Sequence, residues 1–333
     1  VAKAASAASE AHAADAARDV LAHGNAVDAV VAGVLAAAAE SPTVWLGPVQ
    51  LLVGGAGTGL LAFDGRSRQP GRGAVRPRGF LANDPIPDAA RVAVPALPAT
   101  LAAVIGSSGT WSLLRTCSRA VAMAKERSPE RASTLEQFAR RGAPAVAEGW
   151  IATELLAAGG RATRGILTSD DLATVRPGVV RCDEQRLEPG GILRVPWLDD
   201  GRGDATFTQV VAAADARGLV AIACYEAPFD GLAIPALGLM APRSAVPVLR
   251  GHTRVAPGTP LAASAPIALR AREGTVDLAL GVASFAGAQA SLAVVTAAIQ
   301  RVPTIAEALG TATAGRIVAL LRANDQTRVV ASA

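Results

Sequence analysis

Residues 208–226 read TQVVAAADARGLVAIACYE. Two apolar runs, 206–214 and 219–226, flank Asp215-Ala216-Arg217-Gly218, a tetrad whose Asp and Gly suit a tight turn. The spacing predicts a buried β-hairpin. Upstream, VQLLVGGAGTGLLAF over 49–63 has the same design, with glycines at 54, 55, 57 and 59 between two apolar runs. A phosphate-cradling loop would require a Lys-Ser/Thr pair and a following helix. Here strand-like sequence lies on both sides, so the glycines are read as a second hairpin turn.

Working outward, the N-terminal part reads as helical. A first helix is expected over 4–22, stopped by His23-Gly24, and a second over 25–39, ended by Pro42. Residues 64–90 read as a solvated loop, with Arg66, Arg68, Arg72, Arg76 and Arg78 among Pro and Gly. Further helices are expected over 111–126, closed by Pro129, and from a capping box at Ser133-Thr134-Leu135-Glu136. Another is expected over 146–158, ended by Gly159-Gly160. Short strands are expected at 179–182 and 192–195, and a proline-rich irregular stretch covers 235–266. A strand over 276–284, a helix over 287–299 and a helical stretch from Pro303 complete the chain. Helices first, strands second, then one strand–helix pair predict a layered α+β domain, not a βαβ repeat.

Composition bounds the function. The 333 residues are 51% hydrophobic and 18% charged, enough apolar material for a large core and too much for a disordered chain. Aromatics make up 3% and the net charge is +4, which argues against nucleic-acid binding by stacking platforms. Of the basic residues only Lys3 and Lys125 are lysines, a bias that fits a GC-rich genome. Cys117, Cys182 and Cys224 are odd in number and far apart, which excludes a disulfide framework as the main staple. His12, His23 and His252 have no partner at metal-ligand spacing, so no metal site is expected. Gly106-Ser107-Ser108-Gly109 is not a GxSxG elbow and reads as an ordinary serine cap before a helix. The acid pairs Asp170-Asp171 and Asp199-Asp200 read as helix-start and turn residues. The uncharged run 278–300 could span a bilayer by length, but Gly281, Ser284, Gly287, Gln289 and Ser291 interrupt it; a buried strand leading into a buried helix is expected, with no membrane span. The first residues carry no compact apolar region, so no signal peptide is visible, and the sequence starts at Val1.

Five segments, in order, resemble the γ-glutamyltranspeptidase family. His23-Gly24-Asn25-Ala26-Val27-Asp28-Ala29 is similar to its GGNAvDAA helix start, and Glu40-Ser41-Pro42, Gly47, Gly54 and Gly55 to its VxPxxSGiGGG region. Asp64-Gly65-Arg66-Ser67-Arg68-Gln69-Pro70 resembles DGRExAP, and Gly159-Gly160 with 167–173 resembles GG…xxxDLAxY. Residues 257–266, PGTPLAASAP, resemble PGxRPLSSMxP. The resemblance implies a single Ntn-hydrolase domain, a four-layer αββα sandwich, with residues 1–207 like the family's large subunit and 208–333 like its small one. It implies no cofactor. It favours a periplasmic or secreted location.

Members of that family cut their own chain, and the new N-terminal Thr attacks a γ-glutamyl amide with its own α-amino group beside it as base. Anchored on Asp215 and Gly218, that Thr falls at Thr208; a register slip of two would make it Thr206. Arg66 matches the arginine expected to clamp a substrate α-carboxylate in bidentate fashion. Around these two the pattern departs. Gln209 and Val210 stand where Thr and His are expected, Glu226 where a supporting Thr is, and Ala241-Pro242 where paired Asn are. Ala262-Ala263 replace a Ser-Ser pair, and the Gly-Gly of the oxyanion site falls near Ser284-Phe285. Losing one oxyanion donor costs roughly 3 kcal/mol of barrier.

Two functions therefore stand at this point. One is a non-catalytic relative with a degraded site that serves as a structural or partner subunit of an oligomer. The other is an active Thr-nucleophile hydrolase or transferase of small γ-glutamyl compounds such as glutathione, or a relative with altered amide chemistry built on Thr208 and Glu226.

Overall fold

A computed structural model describes residues 3–74, 79–182, 184–188, 190–197, 207–284, 287–301, 304–311, 315–323 and 325–331. Strand β1 (Ala5–Ala8) leads into helices α1 (Ala11–Leu21) and α2 (Ala26–Glu40), then the hairpin β2 (Val49–Gly54) and β3 (Leu60–Gly65). A helical run follows: α3 (Leu97–Ser108), α4 (Leu113–Arg127), α5 (Pro129–Arg141), α6 (Pro144–Ala147), α7 (Trp150–Gly159) and α8 (Ser169–Thr174). Strands β4 (Gly178–Cys182), β5 (Ile192–Arg194), β6 (Thr208–Ala214), β7 (Val220–Glu226), β8 (Leu232–Ile234), β9 (Leu239–Ala241), β10 (Ile267–Arg272) and β11 (Thr275–Ala283) come next. Helices α9 (Ala288–Ile299) and α10 (Ile305–Leu309) and the hairpin β12 (Arg316–Ala323) and β13 (Gln326–Ala331) end the chain.

The strands form two antiparallel sheets, β1-β6-β7-β2-β3-β4 and β13-β12-β11-β10-β5, with β8-β9 as a separate pair. Period-2 alternation divides the first sheet's residues between two cores. Leu51, Val53, Phe63, Val211, Ala221 and Tyr225 face α2, α3, α4 and α5. Leu52, Ala62, Val210, Ala212, Ile222 and Cys224 instead meet Ile267, Leu269, Ala279, Val318 and Leu320 of the second sheet. That sheet's outer face, with Leu278, Leu280 and Ile317, is covered by Leu292 and Val295 of α9. Helix, sheet, sheet and helix are the expected four αββα layers. Both sheets are covered on both faces, which is why their strands read as nearly continuous apolar runs.

Small residues set the layer spacing. A Cβ on Gly281 of β11 would lie 2.5 Å from Val210 Cγ1 and 3.2 Å from Ile222 Cδ1, so glycine is what lets the two sheets approach there. The buried α2 is fixed at its start by a capping box between Asn25 and Asp28. The Asp28 carboxylate also accepts from the Thr110 N–H at 3.0 Å, the Thr110 hydroxyl at 2.5 Å and the Trp111 N–H at 3.2 Å. It thereby ties α2 to the start of α4. The two ends of the described chain meet: Thr327 Oγ1 donates to the Lys3 carbonyl at 3.4 Å.

Several expectations need correction. Residues 5–8 are a strand, because they complete the edge of the first sheet against Ala214–Val211, and the helix begins only at Ala11. Pro129 opens α5 rather than closing a region: Ser128 is its cap, and 133–136 lie within the helix. Gly106-Ser107-Ser108-Gly109 ends α3, and the cap of α4 is Ser112. The C-terminal stretch is helical only over Ile305–Leu309, and β12 and β13 follow. Both glycine-turn hairpins form with the expected partners, and 278–300 divides into strand and helix. Among the described residues no helix is long and apolar enough to cross a membrane.

Candidate active site

At one end of the first sheet four strands come level. Thr208 pairs with Glu226, the Glu226 N–H donates to the Pro48 carbonyl at 3.3 Å, and Val49 pairs with Gly65, so Arg66 follows in the same row. Three strand spacings separate Thr208 from Arg66, roughly 14 Å at 4.8 Å each. The alternation that sends Val210 and Cys224 between the sheets also directs Thr208 and Glu226 there. The two residues that the family resemblance singles out therefore share one edge of the inter-sheet space.

Thr208 is 1% exposed. Its N–H donates to the Ser284 carbonyl at 2.9 Å, and its carbonyl accepts from the Ser284 N–H at 3.1 Å. This reciprocal bridge joins β6 to the end of β11 and ties the two sheets together at the corner. Ser284 thus lies in direct contact with Thr208. Phe285, Thr206, Asp199, Asp200, Arg76 and Arg78 lie outside the described residues. One residue before Thr208, the Phe207 carbonyl accepts from the Ala227 N–H at 2.9 Å.

Glu226 is buried, and its Oε1 accepts from the Ser264 N–H at 3.2 Å. From there a polar relay crosses the inter-sheet space. Gln50 Nε2 donates to the Ser264 carbonyl at 2.9 Å, and Trp197 Nε1 donates to Gln50 Oε1 at 2.6 Å. The Trp197 carbonyl lies 3.5 Å from an Arg66 Nη, and the Arg66 guanidinium lies 5.8 Å from the Trp197 ring centroid. Buried polar groups need such partners. Gln50, Ser264 and Trp197 were missed by sequence reasoning; a lone Gln in the apolar run VQLLVG was the available signal.

Arg66 and Arg68 are buried, which corrects the reading of 64–90 as a solvated loop. Asp64 takes the Arg66 fork: Nε to Oδ1 and Nη2 to Oδ2, both at 3.0 Å, with the Arg66 N–H on Oδ1 at 3.0 Å. Arg68 Nη1 adds a contact to Oδ2 at 3.1 Å. Burial alone would raise the Asp64 carboxyl; the hydrogen bonds from Arg66 and the charges of Arg68 and Arg66 hold it below the usual carboxylate range. The bidentate edge expected to clamp a substrate carboxylate is filled by an internal one. A cavity of about 390 Å³ opens beside this pair, with Asp64, Arg68, Arg72, Asp171 and Arg176 in its walls. Thr208 and Glu226 do not line it. Ala262 is exposed and Ala263 half-buried, while Gln209 is engaged at Oε1 by the Ser9 hydroxyl. Among the described residues no group of three or more His, Cys, Asp or Glu could hold a metal ion.

No family model matches this sequence, and no curated protein does. Solved structures do. The cephalosporin acylase of Bacillus halodurans superposes with a TM-score of 0.75 at 16% identity, covering 98% of this chain and 95% of its own. LmbA2991HD superposes at 0.67 and 15%, covering 98% of this chain and 96% of its own. A γ-glutamyltranspeptidase from Pseudomonas nitroreducens complexed with L-DON gives 0.45 at 21%, covering 53% of this chain and 66% of its own. The fold of this chain is that of the cephalosporin acylase and of LmbA2991HD.

Proposed function

We propose that this protein is a γ-glutamyltranspeptidase-like Ntn-hydrolase framework that serves as a non-catalytic structural or partner subunit. The observation that carries the reading is the closed corner at Thr208. Its backbone is held on both sides by Ser284, its cross-strand neighbour is the carboxylate of Glu226, and it is almost wholly buried. The internal Asp64–Arg66 fork supports the same reading, because a substrate carboxylate would have to displace an equivalent charge. Ala262 and Ala263 add no hydroxyl to hold it.

The second reading is a self-cleaving amide hydrolase, and one observation favours it. The Phe207 carbonyl already accepts an N–H, while Glu226 stands opposite Thr208. In that scheme Thr208 Oγ adds to the Phe207 carbonyl carbon as its proton passes to Glu226. The Phe207–Thr208 C–N bond then breaks as Glu226 returns the proton to the Thr208 nitrogen, which leaves an ester and a free α-amine, and water hydrolyses the ester to the Phe207 carboxylate and the Thr208 hydroxyl.

Mass spectrometry of the purified protein under denaturing conditions separates the two. The framework reading expects one intact mass and no chromophore release from a γ-glutamyl anilide. Fragments 1–207 and 208–333, or release that disappears in Thr208→Ala, would overturn it.

A further inference from the structure

A second cavity, of about 600 Å³, lies between the segments at 79–90, 161–168 and 248–250. Its walls are built rather than incidental. The Phe80 N–H donates to the Val248 carbonyl at 2.8 Å and the Arg250 N–H to the Phe80 carbonyl at 2.9 Å. On the other side the Gly165 N–H reaches the Gly160 carbonyl at 2.9 Å and the Leu167 N–H the Gly159 carbonyl at 3.0 Å. Ile166, Leu167 and Val248 supply apolar surface, and Phe80 supplies a ring.

Three arginines line this space: Arg161, Arg164 and Arg250. Among the described residues none of the three is paired with a carboxylate. The Arg164 guanidinium lies 5.1 Å from the Phe80 ring centroid, and Arg250 Nε donates to the Gly79 carbonyl at 3.1 Å. Among the described wall residues the one carboxylate, Asp84, accepts from the Leu81 N–H at 2.9 Å. Among the described wall residues three positive groups and one negative leave a charge of two, beside an aromatic face and apolar lining. Like charges gathered in a concave wall focus a field that a matching counter-ion relieves. A volume of this size is typical of small-molecule sites.

We infer that this cavity is a binding site for an aromatic phosphomonoester, a dianion at neutral pH whose phosphate meets the arginines while its ring packs on Phe80 and the aliphatic wall. It does not depend on the state of Thr208. Calorimetric titration of the full chain with phenyl phosphate at low salt tests it. Saturable one-to-one binding is expected, with inorganic phosphate and benzoate each at least tenfold weaker, since one lacks the ring and the other the second charge. Arg161→Glu with Arg164→Glu should weaken phenyl phosphate at least tenfold. Both side chains are exposed, so the melting temperature of that variant should match the parent's. No saturable binding, unchanged affinity in the double variant, or equal affinity for inorganic phosphate or benzoate would overturn the assignment.

Discussion

Replacing Asp64 by Asn tests the pair that closes the candidate site. The side chains of Asp64 and Arg66 are only 8% and 10% exposed, and Arg68 shares the same carboxylate. Asn removes the negative charge and turns an N–H group toward guanidinium donors, leaving two buried cations without their counter-charge. Removing one member of a buried ion pair costs about 3–5 kcal/mol, and the geometry here places Asp64→Asn in that range. Urea unfolding followed by tryptophan fluorescence reads the loss directly. The pH dependence supplies a second check. The folded-state carboxyl is held below its ordinary value, chiefly by Arg66 against the penalty of burial. Its contribution is therefore complete above the unfolded value near 4 and is lost as pH falls through the lower folded one. The gap between parent and Asp64→Asn should be constant from pH 7 to about 5 and shrink below about 4. A loss under about 1 kcal/mol at pH 7, or a gap that does not close in acid, would refute the reasoning.

Asp28→Ala should cost about 3 kcal/mol or more, because it strips the acceptor from the Asn25, Thr110 and Trp111 N–H groups and the Thr110 hydroxyl in a fully buried position. Denaturant midpoints at unchanged slope would record it. Gly281→Val should be destabilising by at least about 1–3 kcal/mol, since its first carbon already collides with Val210. The compensating Val210→Ala in the same chain should recover part of that loss in thermal unfolding, and no recovery would show that the clash is not with Val210.

Local chemistry made part of this architecture legible. Glycines whose φ is positive, such as Gly55, Gly57 and Gly59, mark a turn wherever they fall between apolar runs, so the β2–β3 hairpin could be read directly. The Asn25–Asp28 capping box likewise announces α2. The C-terminal hairpin was obscured because RIVALLRA is as good a helix as a strand by composition, and only its pairing with β11 decides. Ser128-Pro129 reads equally as a stop or a start; the Ser128 hydroxyl on the Arg131 N–H makes it a start. At the site, residue types could be placed but not their engagements. Thr208 and Arg66 were located by their surroundings in sequence, yet the bridge to Ser284 and the relay through Ser264, Gln50 and Trp197 join strands far apart in the chain. The Asp64–Arg66 pair, two residues apart, was hidden for a different reason: a run of arginines among Gly and Pro resembles hydrated loop until neighbouring elements bury it.

The meeting of Lys3 with Thr327 sets the first and last strands of the described fold side by side, so a chain of these residues can be rewired. When the ends of a domain lie side by side, joining them by a short linker and opening the chain elsewhere is usually tolerated. A circular permutant opened before Thr208, with initiator methionine removed, would be born with the free α-amine that self-cleavage otherwise has to release. Nucleophilic competence of Thr208 would then be measured apart from any self-processing.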